Sequence, residues 1–317
     1  MKPENRGTWR RRGWLAGAGA AGLAGLGALS ATQSPWFWRY MAEDSQRVIV
    51  PPPHRPKPRE WPDGGLFAAW LGHSTVLLKL DGFTILTDPI FSDKAGVHTA
   101  LLSLGVKRLV APALEPKDLP RIDLVLLSHA HMDHFDIPSL RKLEGKQTTV
   151  VTASQTSDLL RPKRYKAVHE LGWDERARVG PVECRAFEVR HWGARLRTDT
   201  YRGYNGYLIE TPHYRVVFAG DTALTGNFRA LRASRPIDLA LMPIGTYNPW
   251  VRNHCNPEQA WRMGNEAGAD RLLAIHHQTF QLSREPVHEP IERFQTAAGS
   301  DAERIVVTEI GQEARLA

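Results

Sequence analysis

Short apolar runs bounded by turn residues recur along the chain and predict a series of β-strands. The stretch FAAWLGHSTVLLKLDGFTILTD is typical of two or three strands with a turn at Asp81–Gly82. The run DLVLLS is short and continuously apolar, which predicts a strand buried on both faces. Further strands are predicted in TTVVTAS, VECRAFEVRH, GYLIETPHYRVVFAGD, DLALMPIG and RLLAIHH.

Two segments between these runs have the signals of helices. In DIPSLRKL, Asp136 is placed to cap the helix and Pro138 lies in its first turn. In NPEQAWRMGNEAG, Asn256 is the predicted cap and Gly268 lies near the end. The mixture predicts an α/β protein in which helices cover sheets, and no repeat of 20–50 residues is visible.

The first 60 residues have a different pattern. A basic cluster precedes an uncharged, Gly/Ala/Leu-rich run from Gly13 to Ala31, and the stretch RRGWL resembles a twin-arginine signal. We therefore expect residues 1–34 to be a leader that directs export to the periplasm, with an uncleaved membrane anchor as the alternative. Residues 35–60 are rich in proline and predict an extended linker. The globular domain is then 61–317.

Composition and charge narrow the classes of function. The chain has 317 residues, 42% hydrophobic and 24% charged, as expected of a globular protein. Its formal charge of +7 comes largely from the first 12 residues, which carry +4. The remaining +3 is too mild to predict nucleic-acid binding. The pattern GAGAAG lies within the leader and not between a strand and a helix, so it does not predict a dinucleotide site. Cys184 and Cys255 do not form a disulfide framework, and the sequence leaves their pairing open.

The stretch SHAHMDHFD follows the predicted buried strand DLVLLS. It places four potential ligands, His129, His131, Asp133 and His134, within six positions. Imidazole nitrogens and carboxylate oxygens bind zinc and related metals. Burying so many polar groups together without a partner is costly. The cluster therefore predicts a metal site, while Ser128 just before it is interpreted as a small turn residue.

Three further predicted strands end in residues of the same kinds. FEVRHW carries His191, VVFAGDT carries Asp221, and LLAIHH carries His276 and His277. Ligand-binding residues in sheet-based enzymes commonly lie where strands give way to loops. Each residue alone has a structural explanation, but their order along the chain favours a shared site.

This order of motifs resembles the metallo-β-lactamase superfamily. The stretches WLGHSTVLLKLDGFTILTDPIFS, FAGDTALTGNF, DLALMPIGTYNPW and AIHHQTF further resemble the branch that contains N-acylphosphatidylethanolamine-hydrolysing phospholipase D and its bacterial relatives. The resemblance covers about residues 70–294. It implies an αββα sandwich, in which two sheets pack face to face with helices outside.

The resemblance also implies the roles of individual residues. One zinc ion would be bound by His129, His131 and His191, and a second by Asp133, His134 and His276. Asp221 would bridge the two ions. His277 is the alternative to His276. His254, in HCNPEQA, would lie near the substrate phosphate, and Asp133 or His254 would handle protons. His73 and Asp88 would lie beside the ligands and orient them.

The implied activity is hydrolysis by a hydroxide that bridges two zinc ions. We expect a phosphodiesterase of the phospholipase D type that acts on N-acylphosphatidylethanolamine-like lipids. The alternatives are a zinc-dependent lactonase or other acyl-bond hydrolase, and a non-catalytic envelope protein on the same fold. The chain departs from the branch pattern at Asn205, Asn256 and His277–Gln278. These departures leave the substrate open between a phospholipid and a small molecule. Export favours association with a membrane surface, and oligomeric state stays open.

Overall fold

The computed structural model describes residues 44, 46–99, 103–233 and 235–317. The predicted leader at 1–34, and residues 35–43 and 45 of the predicted linker, lie outside the described residues. The chain divides into two compact units, Met1–Val48 and Ile49–Ala317. Of the first unit, the structure describes only residues 44 and 46–48. Val50 pairs with Val110 in this second unit, and the His54 N–H donates to the Ile310 carbonyl. Within the described residues, no helix is long and apolar enough to cross a membrane.

The described residues of the second unit form two large sheets, a small hairpin and three α-helices. The strands are β1 (Leu66–Gly72), β2 (Thr75–Leu80), β3 (Phe83–Thr87), β4 (Lys94–His98), β5 (Ser103–Lys107), β6 (Leu124–Leu126), β7 (Thr149–Ala153), β8 (Ala167–Leu171), β9 (Arg176–Val179), β10 (Val182–Phe187), β11 (Gly206–Glu210), β12 (Arg215–Phe218), β13 (Ile237–Pro243), β14 (Ala269–Ile275) and β15 (Glu313–Arg315). The first sheet has the order β15-β1-β2-β3-β6-β7-β8, the second β14-β13-β12-β11-β10-β9, and β4 pairs with β5. The helices are α1 (Ile137–Lys142), α2 (Pro257–Ala267) and α3 (Glu289–Ala298).

The period of two along each strand divides the buried side chains between two layers. In β12, Val216 and Phe218 belong to the hydrophobic cluster between the sheets, and Val217 belongs to the cluster that contains α2 and α3. Leu140 of α1 packs with the first sheet. The central strands of each large sheet are thus buried on both faces, as the continuous apolar runs predict, whereas the outer strands β9 and β15 have exposed residues. The predicted αββα arrangement is confirmed.

Both predicted helices begin at their predicted caps. The Asp136 carboxylate accepts from the Ser139 N–H at the start of α1. Asn256 and Gln259 form a reciprocal capping box at the start of α2, and Gly268 ends that helix in the left-handed conformation. Asn256, a departure from the branch pattern, therefore stabilises a helix that covers the second sheet. Cys184 and Cys255 are both buried and free.

Parallel strands bring several chain segments to one edge. β3, β6 and β7 run parallel in the first sheet, and β12, β13 and β14 run parallel in the second. The carboxyl ends of parallel strands meet at the same edge of a sheet, where ligands commonly bind. The segments that follow β3, β6, β12 and β14 contain Asp88, His129–His134, Asp221 and His276.

Candidate metal centre

The structure brings all seven predicted metal ligands together. Two groups of ligand atoms are each confined within 4.8 Å. We call His129, His131, His191 and Asp221 the first group. The other set of atoms comes from His73, Asp133, His134 and His276. We call its three predicted ligands, Asp133, His134 and His276, the second group. Oδ2 of Asp221 is 3.1 Å from Nε2 of His134 and 3.2 Å from Nε2 of His276, so this carboxylate contacts both groups.

Hydrogen bonds fix the tautomers of two histidines in the first group. The Ser128 hydroxyl donates to Asp88, so at 2.8 Å it accepts from Nδ1 of His129. Nδ1 of His191 donates to the carbonyl oxygen of Asn253 at 2.9 Å. A neutral imidazole has one N–H, so Nε2 of His129 and of His191 both present lone pairs.

These lone pairs converge on one place. Nδ1 of His131 is 2.8 Å from Nε2 of His129 and 3.2 Å from Nε2 of His191. Ligands on a tetrahedral zinc with bonds of 2.0–2.1 Å lie about 3.3 Å from one another. Oδ2 of Asp221 lies 3.9 Å from Nε2 of His129 and 3.7 Å from Nε2 of His191. The donor set therefore fits a metal ion with three nitrogens and one oxygen.

The second group is oriented by a buried carboxylate. Nδ1 of His134 donates to Asp88 at 2.6 Å, which leaves Nε2 facing Asp221 and Asp133. Such a carboxylate–histidine contact orients the imidazole and raises its basicity as a metal ligand. Nε2 of His276 lies 3.5 Å from Oδ2 of Asp133. These atoms form a second donor set of two nitrogens and the carboxylates of Asp133 and Asp221.

Several atoms of the two groups are buried without a hydrogen-bond partner. They are Nε2 of His131, Nε2 of His134, Nε2 of His276 and Oδ1 of Asp221. Leaving such groups unpaired is costly, and a metal ion at the second donor set would satisfy Nε2 of His134 and Nε2 of His276. The residues present therefore fit two metal ions, through orientation as well as residue type.

The electrostatics favour the protonation states that bind metals. Burial lowers the pKa of His131 to about 4 and holds the pKa of His129 and His191 well below the usual range. Burial alone would raise the pKa of Asp221, but neighbouring His134 and His276 hold it well below its ordinary value. At neutral pH the first group thus consists of neutral imidazoles and an ionised carboxylate.

Protons remain in the second group. Burial disfavours the charged form of His276, yet the Asp221 and Asp133 carboxylates raise its pKa to about 9. The same carboxylates outweigh burial at His134 and hold its pKa well above the ordinary value. A metal ion bound at the second group would take the place of these protons.

His254 lies at the edge of the centre. Its Nδ1 is 3.8 Å from Oδ2 of Asp221 and has no hydrogen-bond partner, although the residue is buried. The backbone N–H donates to the Trp250 carbonyl, and the ring lies 6.1 Å from that of Trp192. Burial lowers the pKa of His254 to about 4, so the imidazole is neutral at neutral pH.

The two residues of LLAIHH have different environments. His276 lies in the centre, whereas the His277 ring stacks on Trp70 with centroids 4.5 Å apart and belongs to neither group of ligand atoms. His276 adopts a φ of 62°, which turns successive side chains in different directions. The structure therefore favours His276 over its alternative.

The sequence analysis understated Ser128, missed the Asn253 carbonyl and named Asn205 only as a departure from the branch pattern. Ser128 is more than a small turn residue, because it joins Asp88 to His129. The Asn253 carbonyl, which orients His191, carries no side-chain signal. Asn205 donates its backbone N–H to the Ser128 carbonyl and its side-chain N–H to the Leu171 carbonyl. These bonds hold residues 128–136, which we call the metal loop, against the neighbouring strands.

A glycine is required where the chain turns into Asp221. Gly220 has a φ of 57°, and a Cβ there would lie 2.7 Å from Cβ of Ser128 and 2.9 Å from the Asn205 carbonyl oxygen. The glycine therefore permits both the left-handed conformation and the close approach of Asp221 to the loop that bears His129.

Known proteins are similar in sequence to this chain. Residues 84–277 match the family described as Beta-lactamase superfamily domain. An uncharacterized protein of Mycobacterium tuberculosis is 34% identical over 258 residues, covering 78% of this chain and 68% of that protein. The N-acyl-phosphatidylethanolamine-hydrolyzing phospholipase D 1 of Caenorhabditis elegans is 28% identical over 237 residues, covering 69% of this chain and 66% of that protein.

A solved structure shows the same fold. Igni18, a metallo hydrolase from the archaeon Ignicoccus hospitalis, superposes with a TM-score of 0.58 at 20% identity, covering 78% of this chain and 97% of that one. The matches confirm the resemblance inferred from the motifs, and the family match extends over more than half of the chain. The chain belongs to the beta-lactamase superfamily.

Proposed function

We propose that this chain is an exported hydrolase that uses two zinc ions to cleave a phosphodiester of N-acylphosphatidylethanolamine-like lipids. The observation that carries the proposal is the position of Asp221, whose Oδ2 contacts histidines of both groups. A carboxylate between two donor sets is suited to a two-metal site. Imidazole nitrogens and carboxylate oxygens are the donors found in catalytic zinc sites.

Two bound metal ions would supply Lewis acidity, activate water near neutral pH and stabilise negative charge on the reacting group. The chain's own residues would set the geometry. Asp88 and Ser128 fix the lone pairs of His134 and His129 toward the centre. Burial of His129, His134, His191, Asp221 and His276 keeps competing water away from these donors.

His254 is the group best placed to act on substrate. Its unpaired Nδ1 faces the centre, and the neutral imidazole can donate a hydrogen bond or accept a proton. Asp133 has the weaker claim to proton transfer, because its Oδ2 contacts His73, His134 and His276. We therefore propose that Asp133 acts mainly as a ligand and His254 as the residue that contacts the reacting phosphate.

A cavity of about 700 Å³ beside the metal loop supports an amphiphilic substrate. Met132, from the metal loop itself, lines it together with Ile137 and Leu159, and Arg141 and Arg161 add positive charge. The volume lies in the range of ligand pockets. An apolar wall with cationic groups suits a molecule with an acyl chain and an anionic head. The similarity to the Caenorhabditis elegans phospholipase D points to the same class.

The proposal is tested by offering zinc-loaded protein three kinds of substrate: N-acylated phospholipids in micelles, aryl phosphodiesters and lactones. We expect release of phosphatidic acid and N-acylethanolamine from the lipid, and none with Asp221→Ala. Hydrolysis of lactones alone would overturn the phosphodiester assignment and leave an acyl-bond hydrolase. Turnover of none of the three would favour a non-catalytic envelope protein.

A further inference from the structure

His73 lies in the tight turn between β1 and β2, and its backbone is held on both sides. Its φ is 52°, in the left-handed region. The N–H donates to Oγ1 of Thr279 at 2.6 Å, and the carbonyl accepts from the N–H of His276 at 3.0 Å and from Nε1 of Trp70 at 2.7 Å. A non-glycine residue with this φ costs free energy, so its neighbours must hold it there. The backbone of His73 is thereby tied to one member of the second group.

The side chain of His73 is tied to another member. Nε2 lies 2.9 Å from Oδ2 of Asp133, and the His73 side chain is 1% exposed. The same oxygen lies 3.5 Å from Nε2 of His134 and of His276. A carboxylate oxygen has two lone pairs, so one can accept from His73 while the other faces the histidines.

The alternative is that His73 is itself a ligand, since its ring nitrogen lies within the confined set of atoms. The contact with Asp133 argues against this. A carboxylate only accepts, so Nε2 must carry the proton in this hydrogen bond. A nitrogen that donates has no lone pair for a metal.

We infer that His73 is a positioning residue for the second metal ion, which it serves by orienting Asp133 through its side chain and His276 through its backbone. The inference rests on the proposed two-metal centre. Its consequence is asymmetry, because among the described residues His73 forms no hydrogen bond with the histidines of the first group. Loss of the imidazole should therefore weaken one metal site and spare the other.

The test is a competition titration of zinc between metal-free protein and a chromophoric chelator, which resolves two affinities. Loss of a group that orients a metal ligand costs about 10–100-fold in affinity. We expect His73→Ala to weaken the second zinc by that factor and to keep the first at wild-type affinity, so that the retained site also reports a folded protein. His73→Gln should recover most of the loss, because its amide N–H can donate to Asp133.

His213→Ala is the matched control, since it removes a histidine paired with an aspartate at the surface. It should leave both affinities unchanged. His73→Ala with two wild-type affinities would overturn the role of His73 while leaving the two-metal centre intact. Equal loss of both zinc ions, or no recovery in His73→Gln, would show that the residue only supports the fold. A wild-type protein that binds no metal would refute this inference together with the proposed function.

Discussion

Replacing Asp88 by asparagine should weaken metal binding although Asp88 belongs to neither proposed set of ligands. The carboxylate accepts from the Ser128 N–H at 2.7 Å, from the Ser128 hydroxyl and from Nδ1 of His134 at 2.6 Å. An asparagine keeps one acceptor and replaces the other with an NH₂ donor. If that donor faces His134, Nδ1 must accept, and the proton of the neutral ring moves to Nε2. A protonated Nε2 cannot bind a metal.

The expected size of the effect follows from this contact. Loss of the partner that orients a metal-ligating histidine costs about 10–100-fold in affinity. A factor of 10–100 corresponds to about 1.4–2.7 kcal/mol. The side chains of Asp88 and His134 are both fully buried, so water cannot replace the lost acceptor, and we expect the upper half of the range for the second group. The first group should lose less, because Asp88 reaches His129 only through Ser128.

The measurement is a zinc competition titration on metal-free protein, with circular dichroism to verify the fold. Asp81→Asn is a close control, because Oδ2 of Asp81 lies 2.7 Å from Nδ1 of His213 in the same kind of pair at the surface. It should bind zinc like the wild type. Wild-type affinity at both sites in Asp88→Asn, or an equal loss in Asp81→Asn, would refute the reasoning from the tautomer.

Three other changes have distinct expected outcomes. His254→Ala should keep both metal ions and its fold but lose about 10²–10⁴-fold in turnover, as for loss of general acid–base catalysis; normal turnover would remove it from the mechanism. Gly220→Ala should lower the free energy of unfolding, as measured by denaturant titration, by about 1–2 kcal/mol because alanine is strained in the left-handed conformation and by about 1–3 kcal/mol because its Cβ collides with Ser128. Wild-type stability would contradict the assigned geometry. A reporter fused after Ser34 should reach the periplasm and require the Arg11–Arg12 pair; a cytosolic, unprocessed fusion would count against export.

The parts of the site that sequence could predict are those with a local signal. His129 to His134 form a dense run after an apolar strand, and Asp221 and His276 each end such a strand. The contacts that select the tautomers join residues far apart in sequence. Asp88 and Ser128 are separated by 40 residues, and His191 and Asn253 by 62. No local pattern contains these pairs, so they form only when strands far apart in sequence join one sheet: Asp88 and Ser128 follow the paired strands β3 and β6, and His191 and Asn253 follow β10 and β13 of the second sheet.

The fold shows the same division. Most of the predicted strands contain an uninterrupted apolar run, whereas polar residues separate the apolar ones in β8 and β9, so no such run identifies these two strands. Helix α3 was also missed. Its buried residues Ile291, Phe294 and Ala298 recur at helical spacing, which is a signal that could have identified it.

The most direct test of the central claim is anomalous X-ray diffraction at the zinc edge from crystals of zinc-replete protein. Two peaks should appear per chain, one at the first group and one at the second, with the Asp221 carboxylate coordinating both. A single peak, no peak, or an Asp221 that binds only one metal ion would contradict the two-metal centre.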